Sequence, residues 1–131
     1  MTAVPLQALS EHAFVSRELG SGTREVIDHY LQKGGLSLDA LQVVMEASSP
    51  EALKGLVATG LGFTIMSRAI AEKEVRLGEL VRIPLAPALI RHLSVVYPKE
   101  RFHSKVVNAF VQFAKQRLAA TQPGDHRRAA D

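Results

Sequence analysis

The chain has 131 residues, 47% of them hydrophobic, and its sixteen basic and thirteen acidic residues give a net charge of +3. This length and composition suit one globular domain with a modest core, and the apolar runs are too short to cross a bilayer. The lack of cysteine excludes a disulfide framework, a thiolate nucleophile and a zinc–sulfur site. The mild, well-mixed charge does not indicate a nucleic-acid-binding surface.

The first part of the chain predicts a strand, a turn and a helix. After a short helical turn within residues 1–12, residues 14–16 have strand character, and Gly20 and Gly22 interrupt the strand. The helix that follows has one apolar face, formed by Val26, Ile27, Tyr30 and Leu31. Lys33 and the glycine pair 34–35 are signals that end a helix.

The same alternation then recurs twice. Residues 41–45 predict a strand, and Ser48, Ser49 and Pro50 predict a helix start whose buried face is Leu53, Leu56 and Val57. Residues 62–66 predict another strand, Ser67 a cap for a helix through Lys73, and residues 80–84 a further strand. Strands alternating with helices predict a parallel or mixed sheet that is covered by helices.

The last third of the chain has a different pattern. Residues 92–97 predict a buried strand, residues 98–101 a turn, and Ser104 a cap for a long helix. That helix has a wide apolar stripe, formed by Val106, Val107, Phe110, Val111, Phe113, Ala114 and Leu118. The preceding strands offer little sheet for so wide a stripe, so we expect that part of the sheet lies outside this chain. The basic end of the chain, residues 121–131, is expected to be a disordered tail.

No enzyme signature is complete in this sequence. Gly20-Ser21-Gly22 lacks the flanking glycines of a nucleophile elbow, and Gly60-Leu61-Gly62 follows a helix where a dinucleotide motif would follow a strand. The five histidines are scattered, without metal-ligand spacing. Glu72 and Glu74 are expected on a solvated helix face. The sequence therefore predicts a non-enzymatic protein without a metal site or cofactor.

Hydroxyl-bearing residues are clustered at two predicted helix starts. Ser16 lies at the carboxyl end of a strand, with Ser21, Gly22 and Thr23 beyond it, and Ser48 and Ser49 hold the equivalent place in the second unit. Ligands of open α/β sheets sit outside the carboxyl ends of the strands, and helix N-termini favour anions. The alternative is that these hydroxyl groups only cap their own helices.

Three blocks of sequence, in order and closely spaced, carry a family resemblance. They are residues 14–24, residues 43–46 with 49–54, and residues 57–67. In combination they resemble the effector-binding domain of LysR-type transcriptional regulators, and they look closest to the branch of sulfur-assimilation and carbon-fixation regulators. The resemblance covers roughly residues 6–118.

The resemblance implies an α/β fold with a three-layer mixed sheet, helices on both faces, and a subdomain like those of type 2 periplasmic binding proteins. Residues 1–90 would be the second subdomain of the effector domain. Residues 91–120 would be the return strand and C-terminal helix of a first subdomain that is otherwise absent, as is the N-terminal helix-turn-helix domain. A fragment of a longer regulator is therefore expected.

The resemblance also implies a set of effector-binding residues, with Ser16 and Ser48 facing the effector and the others adjoining it. The full set is Ser16, Arg17, Glu18, Ser21, Gly22, Thr23, Glu46, Ser48 and Ser49. The implied function is sensing of a small anionic metabolite in the cytoplasm. DNA would be bound only through the missing domain, there would be no membrane partner, and the regulator would be a homodimer or homotetramer.

Two further expectations accompany this hypothesis. The predicted helix of residues 50–59 is a candidate contact surface between subunits, although it would serve equally well as an ordinary sheet-covering helix. A periplasmic-type solute-binding protein of a transporter is the alternative function, because it shares the architecture. The coding sequence upstream distinguishes the two: a winged helix-turn-helix indicates the regulator, and a signal peptide indicates the transporter protein.

Overall fold

A computed structural model describes residues 2–92, 94, 96 and 104–120. The chain divides into two units, one ending at Arg91 and the other beginning at His92. The first unit holds every described strand. Its elements are β1 (Val4–Pro5), a 3₁₀ helix (Leu6–Glu11), β2 (Ala13–Arg17), α1 (Gly22–Lys33), a 3₁₀ helix (Leu38–Ala40), β3 (Gln42–Ala47), α2 (Pro50–Ala58), α3 (Arg68–Arg76) and β4 (Leu85–Ala86).

The strands of the first unit pair in parallel. β2 pairs with β3, and β1 pairs with β4. A register shift between Phe14 and Val15 leaves one extra residue on β3, after which Ser16 aligns with Glu46 and Arg17 with Ala47. This alignment brings the carboxyl ends of β2 and β3 to the same edge.

Two predicted strands are shorter or displaced in the structure. Residues 62–66 form only a bridge at Phe63, whose backbone bonds to Ala13 and Val15 at 2.9 and 2.8 Å. The Thr64 hydroxyl then donates to the carbonyl oxygen of Val15 (2.8 Å), so a side chain replaces the next bond of the ladder. Residues 80–84 are not a strand, and pairing occurs at β4, just after Pro84 accepts a bond from the Val4 N–H (2.9 Å).

The buried apolar residues form two clusters that meet at β2. Phe14 belongs to the larger cluster, which also contains Leu6, Leu9, Ile27, Tyr30, Leu31, Leu41 and Ile65. Val15 belongs to the smaller one, with Ala47 and Leu53. Because successive side chains of a strand point to opposite faces, α1 and α2 cover β2 from opposite sides. The predicted apolar faces of α1 and α2 are thus the ones that are buried.

An ion pair joins α2 to α3. The Lys54 ammonium donates to Glu74 Oε1 at 2.7 Å, and both side chains are mostly buried. The Lys54 bond lowers the pKa of the Glu74 carboxyl, and its Oε2 atom is buried without a hydrogen-bond partner. The prediction that Glu74 lies on a solvated face was therefore wrong, whereas Glu72 is exposed. Sequence spacing within α3 contains no sign of Lys54, a partner on another helix.

The described part of the second unit contains one helix, α4 (Lys105–Ala120). As predicted, Ser104 caps this helix, with its hydroxyl accepting from the Val107 N–H at 3.2 Å. Val111 is buried, while Val106, Phe110 and Phe113 are exposed. Residues 92, 94 and 96 of the strand predicted at 92–97 are described and are not part of a strand, whereas its other three residues, the turn at 98–101 and the tail at 121–131 lie outside the described residues.

Candidate functional site

The turn from β2 into α1 forms the first part of the candidate site. Gly20 has a φ of 82°, in the left-handed region that glycine adopts without strain, and the Ser21 N–H donates to the Glu18 carbonyl oxygen (3.3 Å). Ser21 is the N-cap residue of α1 and is only 8% exposed. Its hydroxyl does not cap the helix. The turn thus presents a helix start whose Ser21 hydroxyl makes no hydrogen bond with any residue that the structure describes.

The second part of the site is the start of α2. Ser49 is its N-cap residue and Pro50 its first helical residue, and the Ser49 hydroxyl accepts from the Ala52 N–H at 3.1 Å. Ser48, the residue before it, is exposed. Ser49 is therefore occupied by capping, as the alternative interpretation expects, while the Ser48 hydroxyl makes no hydrogen bond within the described residues.

Backbone and side-chain hydrogen bonds join the ends of the two strands that lead into these helices. The Glu18 N–H donates to the Ala47 carbonyl oxygen (3.3 Å), and Arg17 Nη2 donates to the Ser48 carbonyl oxygen (3.2 Å). The first bond joins the turn after β2 to the last residue of β3, and the second joins the last residue of β2 to the residue that follows β3. The parallel register of the two strands and these bonds bring residues that are far apart in sequence to the same edge of the sheet.

Two arginine–carboxylate pairs lie along this edge. Arg17 donates two bonds to Glu18, at 2.8 and 2.9 Å, and Arg24 Nη1 donates to Glu46 and also to the Arg17 carbonyl oxygen (2.9 Å). The hydrogen bond from Arg17 lowers the pKa of the Glu18 carboxyl, and the same bond raises the pKa of the Arg17 guanidinium. Both carboxylates are therefore already matched with a guanidinium from the same edge.

The predicted site residues come together at this edge, with different exposures. Residues 16–18, 21–23, 46, 48 and 49 all lie at the ends of β2 and β3 or at the starts of α1 and α2. Ser16, however, is 1% exposed, and its hydroxyl donates to the Arg17 carbonyl oxygen at 3.1 Å. It is not presented to solvent in this conformation, in contrast to Ser48.

Two residues at this edge were not among the predicted effector contacts. Arg24 bridges the ends of β2 and β3, and its place in the first turn of α1 is the signal that could have identified it. Arg91 Nη1 donates to the Thr23 hydroxyl at 3.3 Å. No local pattern points to Arg91, because 68 positions separate it from Thr23.

The chemistry of this edge is that of anion binding by hydrogen-bond donors. Helix-start N–H groups, the hydroxyls of Ser21, Thr23 and Ser48, and guanidinium groups are all suited to carboxylate or phosphate oxygens. The described residues contain no group of three or more histidine, aspartate or glutamate side chains placed to hold a metal ion. Among the described helices, none combines the length and apolarity needed to cross a membrane.

A family model and two similar relatives point to one family. Residues 2–119 match the family model described as LysR substrate binding domain. The chain is 33% identical over 112 residues to the uncharacterized HTH-type transcriptional regulator YeiE of Escherichia coli K12, covering 84% of this chain and 37% of the relative. It is 36% identical over 100 residues to a probable RuBisCO transcriptional regulator of Synechocystis, covering 76% and 29% respectively. The chain thus spans about a third of the length of these curated relatives.

A solved structure supports the same fold. The regulatory domain of Synechocystis CcmR, determined in complex with 2-PG, superposes with a TM-score of 0.71 at 24% identity. The match covers 94% of this chain and 57% of the CcmR chain. The fold is therefore that of a LysR-type regulatory domain, in which helices and strands are mixed, and this chain corresponds to a little over half of that domain.

Proposed function

The chain belongs to the LysR substrate binding domain family, and from that premise we propose that it is the effector-sensing part of a LysR-type transcriptional regulator. The effector is a small anionic metabolite, and the regulator acts on DNA through a separate helix-turn-helix domain. The relatives named above are transcriptional regulators, which favours this function over a transporter's solute-binding protein and over an enzyme.

One observation carries the proposal: two helix starts with hydroxyl groups follow closely after the carboxyl ends of two paired parallel strands. Each helix dipole favours a negative charge at its N-terminus by about 0.3–1 kcal/mol, and hydrogen bonds from the N–H groups add to this. The CcmR regulatory domain, which shares this fold, holds 2-PG in its solved complex. A small anion is suited to the N–H, hydroxyl and guanidinium donors at the edge described above.

The proposed site consists of the residues that the sequence predicted, namely Ser16, Arg17, Glu18, Ser21, Gly22, Thr23, Glu46, Ser48 and Ser49. Ser48 and Thr23 are the contacts that we expect to matter most, because their hydroxyl groups are at least partly accessible. Ser16 is buried, so we assign it the role of supporting the turn.

The proposed architecture has residues 1–90 as the second subdomain of a longer effector domain, and residues 91–120 as elements of the first. Phe14 and Val15 belong to clusters on opposite faces of β2, which supports a three-layer arrangement. The strand pairs among the described residues are parallel, so a mixed sheet would require further strands of the complete domain. The exposed apolar residues of α4 would then pack on the remainder of that sheet. Effector binding would favour closure of the two subdomains in a cytoplasmic homo-oligomer.

Replacing Ser48 by alanine should weaken effector binding about tenfold, the effect of losing one hydrogen bond to a charged group. The substitution should leave the fold intact, because the Ser48 hydroxyl makes no bond within the described residues. The measurement is calorimetric titration of the complete effector domain with the anion selected by a thermal-shift screen of 2-PG, phosphate and small carboxylates.

Ser67→Ala is the matched control, since Ser67 is also an exposed serine at a helix start and its hydroxyl does not cap α3. We expect this variant to bind like the unmodified protein. Equal affinities of the Ser48→Ala variant and the unmodified protein would exclude Ser48 from the site, and equal losses in both variants would show that the effect is not local.

A further inference from the structure

The cations that lie in the turn itself are neutralised within the protein. Arg17 is paired with Glu18 at 2.8 Å, and Arg24 is paired with Glu46. A guanidinium that already holds a carboxylate adds little net attraction for a second anion, because the local charge of the pair is zero. The formal positive charge that an anionic effector requires must therefore come from another residue.

In the described part of the first unit, Arg91 is the residue that can supply this positive charge. Its Nη1 atom donates to the Thr23 hydroxyl at the start of α1 (3.3 Å), and none of the ion pairs among the described residues includes it. The segment before it is held against the same helix, because the Tyr30 hydroxyl of α1 donates to the Pro87 carbonyl oxygen. Arg91 is thus brought to the helix start by neighbouring contacts as well as by its own.

Arg91 adds positive charge to a helix start that is already partly positive. The N-terminus of a helix carries about half a positive charge, and the exposed Arg91 guanidinium beside it increases the positive potential that an anion would meet there. At the same helix start, Ser21 is more than nine-tenths buried and its hydroxyl makes no hydrogen bond within the described residues. An unpaired guanidinium and a hydroxyl group without a partner among the described residues thus lie at one helix start, and both can donate hydrogen bonds to a bound oxyanion.

We propose that Arg91 supplies the charge that recognises the effector, by binding its carboxylate or phosphate group against Thr23 and the first N–H groups of α1. This assignment rests on the proposed function and makes it more specific: the effector carries at least one full negative charge on a compact oxyanion. Arg24 and Arg17 shape the turn through their internal pairs, and Arg91 provides the attraction.

The test is a titration of the 131-residue chain with inorganic phosphate at constant ionic strength, followed through the backbone amide signals of residues 22–24. In the unmodified chain, phosphate should shift these signals in a saturable manner. Arg91→Gln should raise the dissociation constant about tenfold or more, as expected for the loss of one charge-assisted hydrogen bond. Arg91→Lys should have an intermediate effect, because lysine keeps the charge but not the planar fork.

Arg82→Gln is the control for net charge, since Arg82 is an exposed arginine of the same unit, and it should leave phosphate binding unchanged. If the unmodified chain responds at residues 22–24 while Arg91→Gln responds equally, the Arg91 assignment is wrong and the proposed site stands. Equal weakening by Arg91→Gln and Arg82→Gln would also overturn the assignment. If phosphate leaves residues 22–24 unaffected in the unmodified chain, the proposed site itself is contradicted.

Discussion

The Phe14→Ala variant is expected to lose about 3–5 kcal/mol of unfolding free energy, the usual cost of deleting a buried aromatic side chain. Phe14 is 1% exposed and lies in the larger core cluster. Its ring centroid lies 5.0 Å from that of Phe63, with the planes tilted by 42°, and its strand holds Phe63 by backbone bonds. The substitution removes the contact around which β2, α1 and residue 63 are packed.

The measurement is urea unfolding of the variant beside Leu19→Ala. Leu19 is also a large apolar residue of this segment but is 80% exposed, so its truncation should change stability by at most about 0.5 kcal/mol. Small domains have only about 5–15 kcal/mol of stability in total, and the Phe14 variant should therefore be close to unfolding. Similar unfolding curves for the two variants would contradict the placement of Phe14 in the core.

The second large effect is expected from Gly62→Ala. A Cβ atom at Gly62 would lie 2.3 Å from the carbonyl oxygen and 2.8 Å from the carbonyl carbon of Ala13. These are backbone atoms of β2, and they cannot move away by a rotamer change as side-chain atoms can. The segment that carries Phe63 must therefore move away from the strand. We expect a loss of about 1–3 kcal/mol or more, as for other overpacked sites.

Gly55→Ala is the matched control for this substitution. Gly55 lies within α2, and a Cβ atom there would meet nothing within 4 Å. Alanine is a better helix former than glycine by about 1 kcal/mol, so this variant should be more stable than the unmodified chain. The predicted contrast, with opposite signs for the same chemical change, is measured by thermal or urea unfolding. A neutral Gly62→Ala variant would mean that residue 62 does not approach β2 so closely.

The strand–turn–helix alternation of the first sixty residues was predictable because its signals are local. Apolar residues at helical spacing identify the buried faces of α1 and α2, and the glycine and proline positions identify where they end or begin. The structure has β2, α1, β3 and α2 within a few residues of the predicted bounds. Such signals depend only on residues that are close together in the chain, so they can be read directly from the sequence.

The departures from prediction involve partners that are distant in the chain. Residues 62–66 have strand-like composition, but a hydroxyl of Thr64 takes the acceptor that a ladder bond would use. The spacing of Glu74 is that of a solvated helix face, but folding brings it into contact with Lys54, which precedes it by 20 positions in the chain. Local composition does not specify which of two acceptable bonds a group will make, because tertiary packing decides between them.

The candidate site combines both kinds of information. The hydroxyl groups at the two helix starts were evident from Ser21, Thr23, Ser48 and Ser49, whereas their placement at the same edge follows from the parallel register of β2 and β3. The buried state of Ser16 and the approach of Arg91 to Thr23 had no local signal. The sequence therefore predicts which hydroxyl groups belong to the site. It predicts neither the solvent accessibility of these groups nor the net charge of the site.

The central claim, that an anion binds where α1 and α2 begin, is tested most directly by a crystal structure of the complete effector domain grown with the anion that the thermal-shift screen selects. We expect density for its anionic group within hydrogen-bond distance of the first N–H groups of α1 and of the Thr23 or Ser48 hydroxyl. A well-occupied ligand bound elsewhere in the domain, with both helix starts unoccupied, would contradict the claim.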